Sequence, residues 1–242
     1  MHTYLSKIVF LILDFLFPSR CVYCAKTISF QDNCLCNSCM QNIILIEEKC
    51  DICSGTLENE RCTICSDREL FITKNIIVAE YAGVMKEVLH NYKFNHKKRL
   101  HLHLSRLSYP HIEKYKNSFD IVSSVPMKRS KKYKRGFNQS ELVARDLAKK
   151  MNKKYNVLLK EKLFSRVQKE LNYRDRFFNI IGRYKTQKID RIKNRKVLIV
   201  DDVFTTGATI NECARILKYS GAKDVYSLVL ARVNINPVAN KN

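Results

Sequence analysis

The chain has 242 residues, 45% of them hydrophobic, with only six Gly and four Pro. That is enough for one ordinary α/β domain plus a small accessory module, and it excludes a low-complexity or solenoid-repeat chain. The net charge of +21 is unevenly placed: residues 1–65 hold five Lys/Arg against seven Asp/Glu, a net −2, while residues 66–242 hold 39 against 16, a net +23. Such an excess suits a polyanionic partner (nucleic acid, an anionic membrane surface or a phosphorylated ligand), although a solvated Lys-rich surface gives the same count.

Residues 1–20 begin apolar: Ile8 to Leu13 is an unbroken apolar run, followed by Asp14, Phe15 to Phe17 and Pro18. A spanning helix needs roughly 20 apolar residues, so the run is too short. No small-residue cleavage site follows it, as an export signal would require. The expectation is a short helix ended by Pro18 with its apolar side on the body. A membrane-surface anchor or a partner-docking helix would use the same residues. The chain is therefore expected in the cytoplasm, with peripheral contact at the inner face of the membrane in the anchored case.

Residues 21–66 read as a metal module. Nine of the ten Cys lie in residues 21–65. Cys21-x-x-Cys24 is followed after eleven residues by Cys36-x-x-Cys39, and Cys50-x-x-Cys53 after eight by Cys62-x-x-Cys65. A CxxC turn aims two thiolates at one point, and two such turns complete a tetrahedral Cys₄ site, so the four turns imply two Zn²⁺. An iron–sulfur cluster or a redox dithiol would use the same spacing. With all eight thiolates engaged both zinc sites are closed and structural. Metal binding would then supply folding energy that so short a segment lacks in its own core. Gly55 suits the tight turn of the third knuckle. Cys34 reads as a spare thiol, because using it instead of Cys36 would break the knuckle spacing. The module is not basic, so it is read as structural rather than phosphate-binding.

The span 75–233 reads as an α/β domain. Ile76 to Tyr81 is a strand candidate, and Val84, Val88, Leu89 and Tyr92 continue as an amphipathic helix. Lys93-Phe94 and His96 to Arg99 are expected as a basic turn, with His96, His101 and His103 at the surface. Phe119 to Pro126 is a second strand. Ser130 to Ser140, with Lys131, Lys132, Tyr133, Lys134, Arg135 and Phe137, reads as a basic loop. It could close as a lid over a substrate. It could also bind single-stranded nucleic acid, with charge on phosphates and Tyr133 and Phe137 stacking on bases. A helix from about Ser140 turns Leu142, Val143, Leu147, Ala148 and Met151 inward; the lysines at its end also complement the helix dipole. Ile180 to Tyr184 is a further strand candidate, and residues 234–242 are expected to be a disordered polar tail.

The richest stretch is Val197 to Ile210. Val197 to Val200 are apolar, as in a buried parallel strand. Asp201 and Asp202 follow, then Thr205, Thr206, Gly207, Ala208 and Thr209, then a helix with Ile210, Cys213, Ala214 and Leu217 at helical spacing and Gly221 as its stop. Cys213 is expected in the core. A small loop before a helix N-terminus collects an anion through backbone N–H groups. Two carboxylates would repel a bare phosphate but accept hydrogen bonds from ribose hydroxyls, so the stretch fits a 5-phosphorylated ribose. It is not a Walker loop, since no Gly-Lys-Ser/Thr follows. Val225 to Arg232 reads as the last strand.

That stretch closely resembles the phosphoribosyl-pyrophosphate (PRPP) signature of type I phosphoribosyltransferases. Adding Arg135-Gly-Phe-Asn-Gln139 after Val125-Pro126, the paired CxxC ribbons and Leu16-Phe-Pro18 before Cys21, the chain as a whole resembles the ComF family. Gln168, Leu171, Arg174, Arg176 and Asn179 match that family's pattern too, while Arg166-Val167 departs from it by lacking the usual hydroxyl residue. The resemblance implies a type I phosphoribosyltransferase-like, Rossmann-type parallel sheet behind an N-terminal double zinc ribbon. It implies PRPP bound with Mg²⁺, with Asp201 and Asp202 as the catalytic acids on ribose and Thr205 to Thr209 on phosphate. Lys128 and the Arg135 loop are then placed on pyrophosphate. It further implies a role in natural transformation, with single-stranded DNA and competence or helicase proteins as partners. Two functions follow from one fold: a nucleic-acid-handling protein that binds PRPP, or an active phosphoribosyltransferase with an unidentified acceptor.

Overall fold

The computed structural model describes residues 18–29, 34–47, 49–162 and 182–234. The N-terminal helix expected in residues 1–17, the Gln168 to Asn179 pattern with Arg166-Val167, and the tail from 235 lie outside the described residues. The first ribbon carries β1 (Ser19–Arg20), β2 (Thr27–Ile28) and α1 (Asn37–Gln41); β1 and β2 pair antiparallel. The second carries the antiparallel pair β3 (Leu57–Glu58) and β4 (Arg61–Cys62).

The α/β domain follows in chain order: β5 (Lys74–Glu80), α2 (Gly83–Phe94), α3 (Leu100–Glu113), β6 (Ile121–Ser124), α4 (Arg129–Arg135), α5 (Gln139–Lys150), β7 (Lys154–Tyr155), β8 (Leu159–Glu161), β9 (Tyr184–Thr186), β10 (Lys196–Phe204), α6 (Ala208–Tyr219) and β11 (Asp224–Arg232). Five strands form one parallel sheet, ordered β5-β11-β10-β6-β7. β8 and β9 form a separate antiparallel hairpin.

Apolar runs that leave no polar face require cover on both sides. Along β10, Leu198 and Val200 join the core under α2, α3 and α5, while Val197 and Ile199 join the core under α6 and the β8–β9 hairpin. The two ribbons divide the same way: Cys21 and Cys39 belong to the first core, and Cys50, Cys53, Cys62 and Cys65 to the second. The segment between the ribbons runs along the outer edge of β5, with Ile46 N donating to Val78 O at 3.1 Å and Glu80 N to Ile44 O at 2.9 Å. That contact removes an exposed sheet edge.

Three expectations changed. Lys93 and Phe94 close α2 and His96 to Arg99 form the turn after it, but the stretch that follows, for which no element was expected, is a 14-residue helix, α3, whose Leu100, Leu104, Ser105, Ser108 and Ile112 are buried at near-fourfold spacing. The basic Ser130 to Ser140 stretch is mostly helix α4, with no buried residue, ended by Gly136 at φ 78°; lysines and arginines are good helix formers even where nothing packs on them. The strand expected over 180–184 begins only at Tyr184.

Candidate ligand-binding site

β10 pairs with β6 only as far as Val200, opposite Ser124, but with β11 as far as Phe204, opposite Arg232. Asp201 and Asp202 therefore lie inside β10 rather than after it, on the length that has lost its β6 neighbour. β6 leads outward to β7, whereas β10 leads the other way to β11. The gap at their carboxyl ends is the topological switch point at which open parallel sheets bind ligands.

Asp201 accepts a hydrogen bond from Ser140 Oγ at 3.1 Å, and Asp202 Oδ1 lies 3.0 Å from Lys93 Nζ. The Asp202 and Lys93 side chains are 18% and 16% exposed. Burial pushes the Asp201 carboxyl up to about 7, and the neighbouring Asp202 charge adds to the rise against the opposing pull of Lys93 and Ser140. Ser140 reaches the site because Asn138 caps α5, accepting from Ser140 N at 3.1 Å and donating to Val125 O at 3.0 Å.

The loop after β10 is shaped by two side chains and one missing one. Thr206 is buried and its Oγ1 accepts from Ala208 N at 3.3 Å, closing the entry to α6. Gly207 caps the helix at φ 80°. A Cβ there would come within 2.6 Å of Phe204 Cζ, so both the backbone angle and the space demand glycine. Thr205 is exposed, and a cavity of about 20 Å³ is lined by Asp201, Thr205, Gly207 and Thr209. The first N–H groups of α6 have no partner within the helix and face this end of the sheet.

In each ribbon the four Sγ atoms lie within 4.8 Å of one another, and none of the eight is in a disulfide. Separations of 3.8 Å (Cys24 to Cys36), 3.6 Å (Cys50 to Cys65) and 3.4 Å (Cys53 to Cys62) approach the roughly 3.8 Å edge of a zinc–thiolate tetrahedron with bonds of about 2.3 Å. The eight predicted ligands are thus gathered into two four-cysteine sites, and the donor set fits Zn²⁺. Cys34 stands outside both groups. Gly55 is required by contact: a Cβ would meet Ile64 Cδ1 at 2.7 Å and Cys53 Sγ at 3.1 Å. Cys213 is fully buried in the core.

The Double zinc ribbon domain model matches residues 12–69, and the Phosphoribosyl transferase domain model matches residues 137–241. The chain is 25% identical over 225 residues to Competence protein F of Haemophilus influenzae, covering 89% of this chain and 98% of that protein. It is 29% identical over 231 residues to Competence protein ComFC of Streptococcus pneumoniae, covering 88% and 100%. It is also 25% identical over 223 residues to DNA utilization protein YhgH of Escherichia coli, covering 89% and 97%. Over most of its length the chain is similar to these competence and DNA-utilization proteins. Its fold is accordingly a phosphoribosyltransferase-like α/β sheet with an N-terminal double zinc ribbon.

The remaining residues singled out in the chain separate into two groups. Lys128 and Lys132 line a larger cleft of about 910 Å³ at the end of β6, with Tyr155, Lys160, Lys162 and Lys185. They are not part of the small cavity at Asp201. Lys131, Lys134 and Tyr133 are exposed, Tyr133 at 92%. Lys132 pairs with Glu141 at 3.1 Å. Arg135 donates to Gln139 Oε1 at 3.1 Å and lies over the Phe94 ring at 5.0 Å. Phe137 is 8% exposed and packs on Tyr92 at 5.3 Å, so its ring is part of the core and offers no face to a base. The exposed ring beside Arg135 is Phe94.

Lys93 and Ser140 were missed as site residues. Nothing local marks them, since Lys93 looks like any cation at a helix end and Ser140 like any residue in a first turn. No helix among the described residues is long and apolar enough to cross a membrane.

Proposed function

We propose that this chain is a ComF-type protein that binds PRPP with Mg²⁺ at the carboxyl end of β10, and acts in natural transformation by taking up or processing incoming single-stranded DNA in the cytoplasm. The observation that carries the reading is the junction of Asp201 and Asp202 with the Thr205 to Thr209 loop at the switch point of the sheet. The carboxylates accept hydrogen bonds from ribose hydroxyls, and the loop and first turn of α6 hold the 5-phosphate through N–H groups. The oxygen-only donor set suits Mg²⁺, which would offset the charge of the pyrophosphate group facing two acids. The names of the relatives, competence and DNA utilization, support the DNA role, as does the net +23 of residues 66–242. Lys131, Lys132, Lys134 and Arg135 are the phosphate contacts, and stacking falls to Tyr133 rather than Phe137.

A second reading, an active phosphoribosyltransferase of nucleotide metabolism or salvage, is favoured by the placing of Asp201, which lines the cavity beside the loop and is oriented by Ser140 Oγ at 3.1 Å. Burial raises its carboxyl from the usual range, in the direction that suits a group accepting a proton from an attacking nucleophile.

The test is a calorimetric titration of the zinc-loaded chain with Mg-PRPP and with a single-stranded oligonucleotide. Asp201→Asn with Asp202→Asn should lower PRPP affinity at least ~100-fold, because it removes both negative charges and leaves each side chain one neutral acceptor oxygen in place of two charged ones, and leave two zinc per chain. Retained affinity refutes the ribose role. Changing Lys131, Lys132, Lys134 and Arg135 together to Ala should weaken oligonucleotide binding and flatten its log–log salt slope by about 3. An unchanged slope removes those residues from the DNA surface.

A further inference from the structure

The second ribbon and the loop after β10 are bonded to each other. Arg68 NH1 donates to the Thr206 carbonyl at 2.7 Å. One turn further on, Asn211 Oδ1 accepts from Phe71 N at 2.9 Å, and Asn211 Nδ2 donates to Glu69 O at 2.9 Å. Arg68, Glu69 and Phe71, all within six residues of the last zinc ligand, therefore grip both the loop and the first turn of α6.

We infer that Arg68, carried by the second zinc ribbon, is a positioning residue for the phosphate loop, so that the affinity of this site for a phosphorylated sugar depends on the second ribbon being folded around its metal. This rests on the PRPP reading of the site.

The geometry explains how a carbonyl contact acts on a ligand that it does not touch. In a planar trans peptide the N–H of Gly207 points opposite to the carbonyl of Thr206. With the carbonyl held by a guanidinium on the ribbon side, that N–H is aimed away from the ribbon. Gly207 stands between two small cavities: one of about 10 Å³ lined by Cys65, Arg68 and Thr206, the other of about 20 Å³ lined by Asp201, Thr205 and Thr209. The bonded peptide is the partition, and its donor faces the ligand side. Without Arg68 the peptide loses a charge-assisted bond at a buried carbonyl, and a glycine at φ 80° offers little resistance to rotation.

The grip is only as firm as its anchor, and the anchor is firm. Arg68 N donates to the carbonyl of the zinc ligand Cys65 at 3.2 Å. The ribbon is tied to the sheet through Asn75, which is buried: its N donates to Asp51 O at 2.8 Å, its Nδ2 to Ile52 O at 2.9 Å, and its Oδ1 accepts from Ser227 Oγ at 2.8 Å. Lys74 pairs with Asp51 at 2.5 Å. Zinc, knuckle, β5 and β11 thus form one rigid mount for Arg68.

The test uses the full zinc-loaded chain with Arg68→Ala and Arg68→Lys. Three quantities are measured: zinc content, amide hydrogen exchange in residues 204–211, and Mg-PRPP affinity. Arg68→Ala should keep two zinc per chain, raise exchange in 204–211 about tenfold and lower Mg-PRPP affinity about tenfold, as expected for one lost charge-assisted hydrogen bond. Arg68→Lys, which keeps one donor, should recover part of both. Unchanged exchange and affinity overturn the inference. Loss of zinc alongside the loss of affinity overturns the positioning role of Arg68, because Arg68 would then only be holding its own ribbon together. If the unmodified chain fails to bind Mg-PRPP, the functional reading falls, and the exchange measurement still decides whether Arg68 sets the loop.

Discussion

The two zinc ribbons have the same ligands and the same knuckle spacing, yet they sit in different worlds. In the first, Cys24 is exposed and Cys36 half-buried, and the module packs on the face covered by α2, α3 and α5. In the second, all four cysteines are buried, in the core that also holds Phe204 and the apolar side of α6. A Cys₄ site fixes a local turn geometry and little else. What a ribbon does for the rest of the molecule is decided by the surface it is docked on. The residues just after the second ribbon's last ligand are bonded to the loop and helix at the candidate ligand site, whereas the first ribbon packs with the core under α2, α3 and α5.

The sharpest way to break this comparison is to remove one ligand from each ribbon. Cys53→Ser leaves three thiols and a hydroxyl in a space that is 1% exposed. It should release one zinc per chain, lower the melting temperature by about 10 °C or more and abolish Mg-PRPP binding. Cys24→Ser, at an exposed position, should cost roughly half as much in melting temperature and leave Mg-PRPP affinity within about twofold. Metal analysis, thermal melts and titration check all three; equal loss of affinity in both variants would erase the distinction between the ribbons.

A smaller effect should come from the loop itself. Gly207→Ala combines a φ of 80° with a Cβ 2.6 Å from Phe204 Cζ, and should destabilise the chain by about 1–3 kcal/mol in urea unfolding with both zinc ions retained. If the second ribbon fixes this loop from outside, the variant should weaken Mg-PRPP binding as Arg68→Ala does. A neutral substitution would mean that the loop relaxes freely and that the ribbon's grip is incidental.

The smallest expected effect is electrostatic. Asp201 is raised from 3.8 to about 7, chiefly by burial and then by Asp202. The folded chain holds this proton more tightly than the unfolded chain does, so its contribution is whole below about pH 4 and is lost as pH rises through about 7. Between about pH 5 and pH 7, wild-type stability should fall relative to Asp201→Asn by up to about 1.4 kcal/mol per pH unit, then level off. Denaturant unfolding of both proteins at several pH values checks it; a constant gap would place the Asp201 carboxylate in a more polar setting than its burial indicates.

How much of the site was legible depended on whether its parts are neighbours in the chain. Asp201, Asp202, Thr205 and Gly207 lie within seven residues, and strand, acids, loop and helix follow one another in the order in which they are used. The eight zinc ligands were legible for a similar reason, since each CxxC turn carries its own geometry. The residues that complete the site come from elsewhere: Lys93 from the end of α2, Ser140 from the start of α5 and Arg68 from the second ribbon. Separations of 61 and 138 residues carry no periodic signal. Phe137 and Phe94 show the same limit in reverse. Both are aromatic residues beside basic ones, but Phe137 closes a core against Tyr92 while Phe94 is left 56% exposed. Composition cannot tell which of two such rings will be covered.

By itself the sequence determined what depends on short-range chemistry. Four CxxC turns demand metal, apolar runs of β-branched residues demand a covered parallel strand, and a glycine between hydroxyl residues at a strand end demands a tight turn into a helix. Only the tertiary structure decided which face of the sheet each ribbon covers, how far β10 outruns β6, and which distant cations and hydroxyls meet the two acids. Those outcomes come from packing two cores around one sheet at once. They are a property of all the buried surfaces together, and no window of the chain contains them.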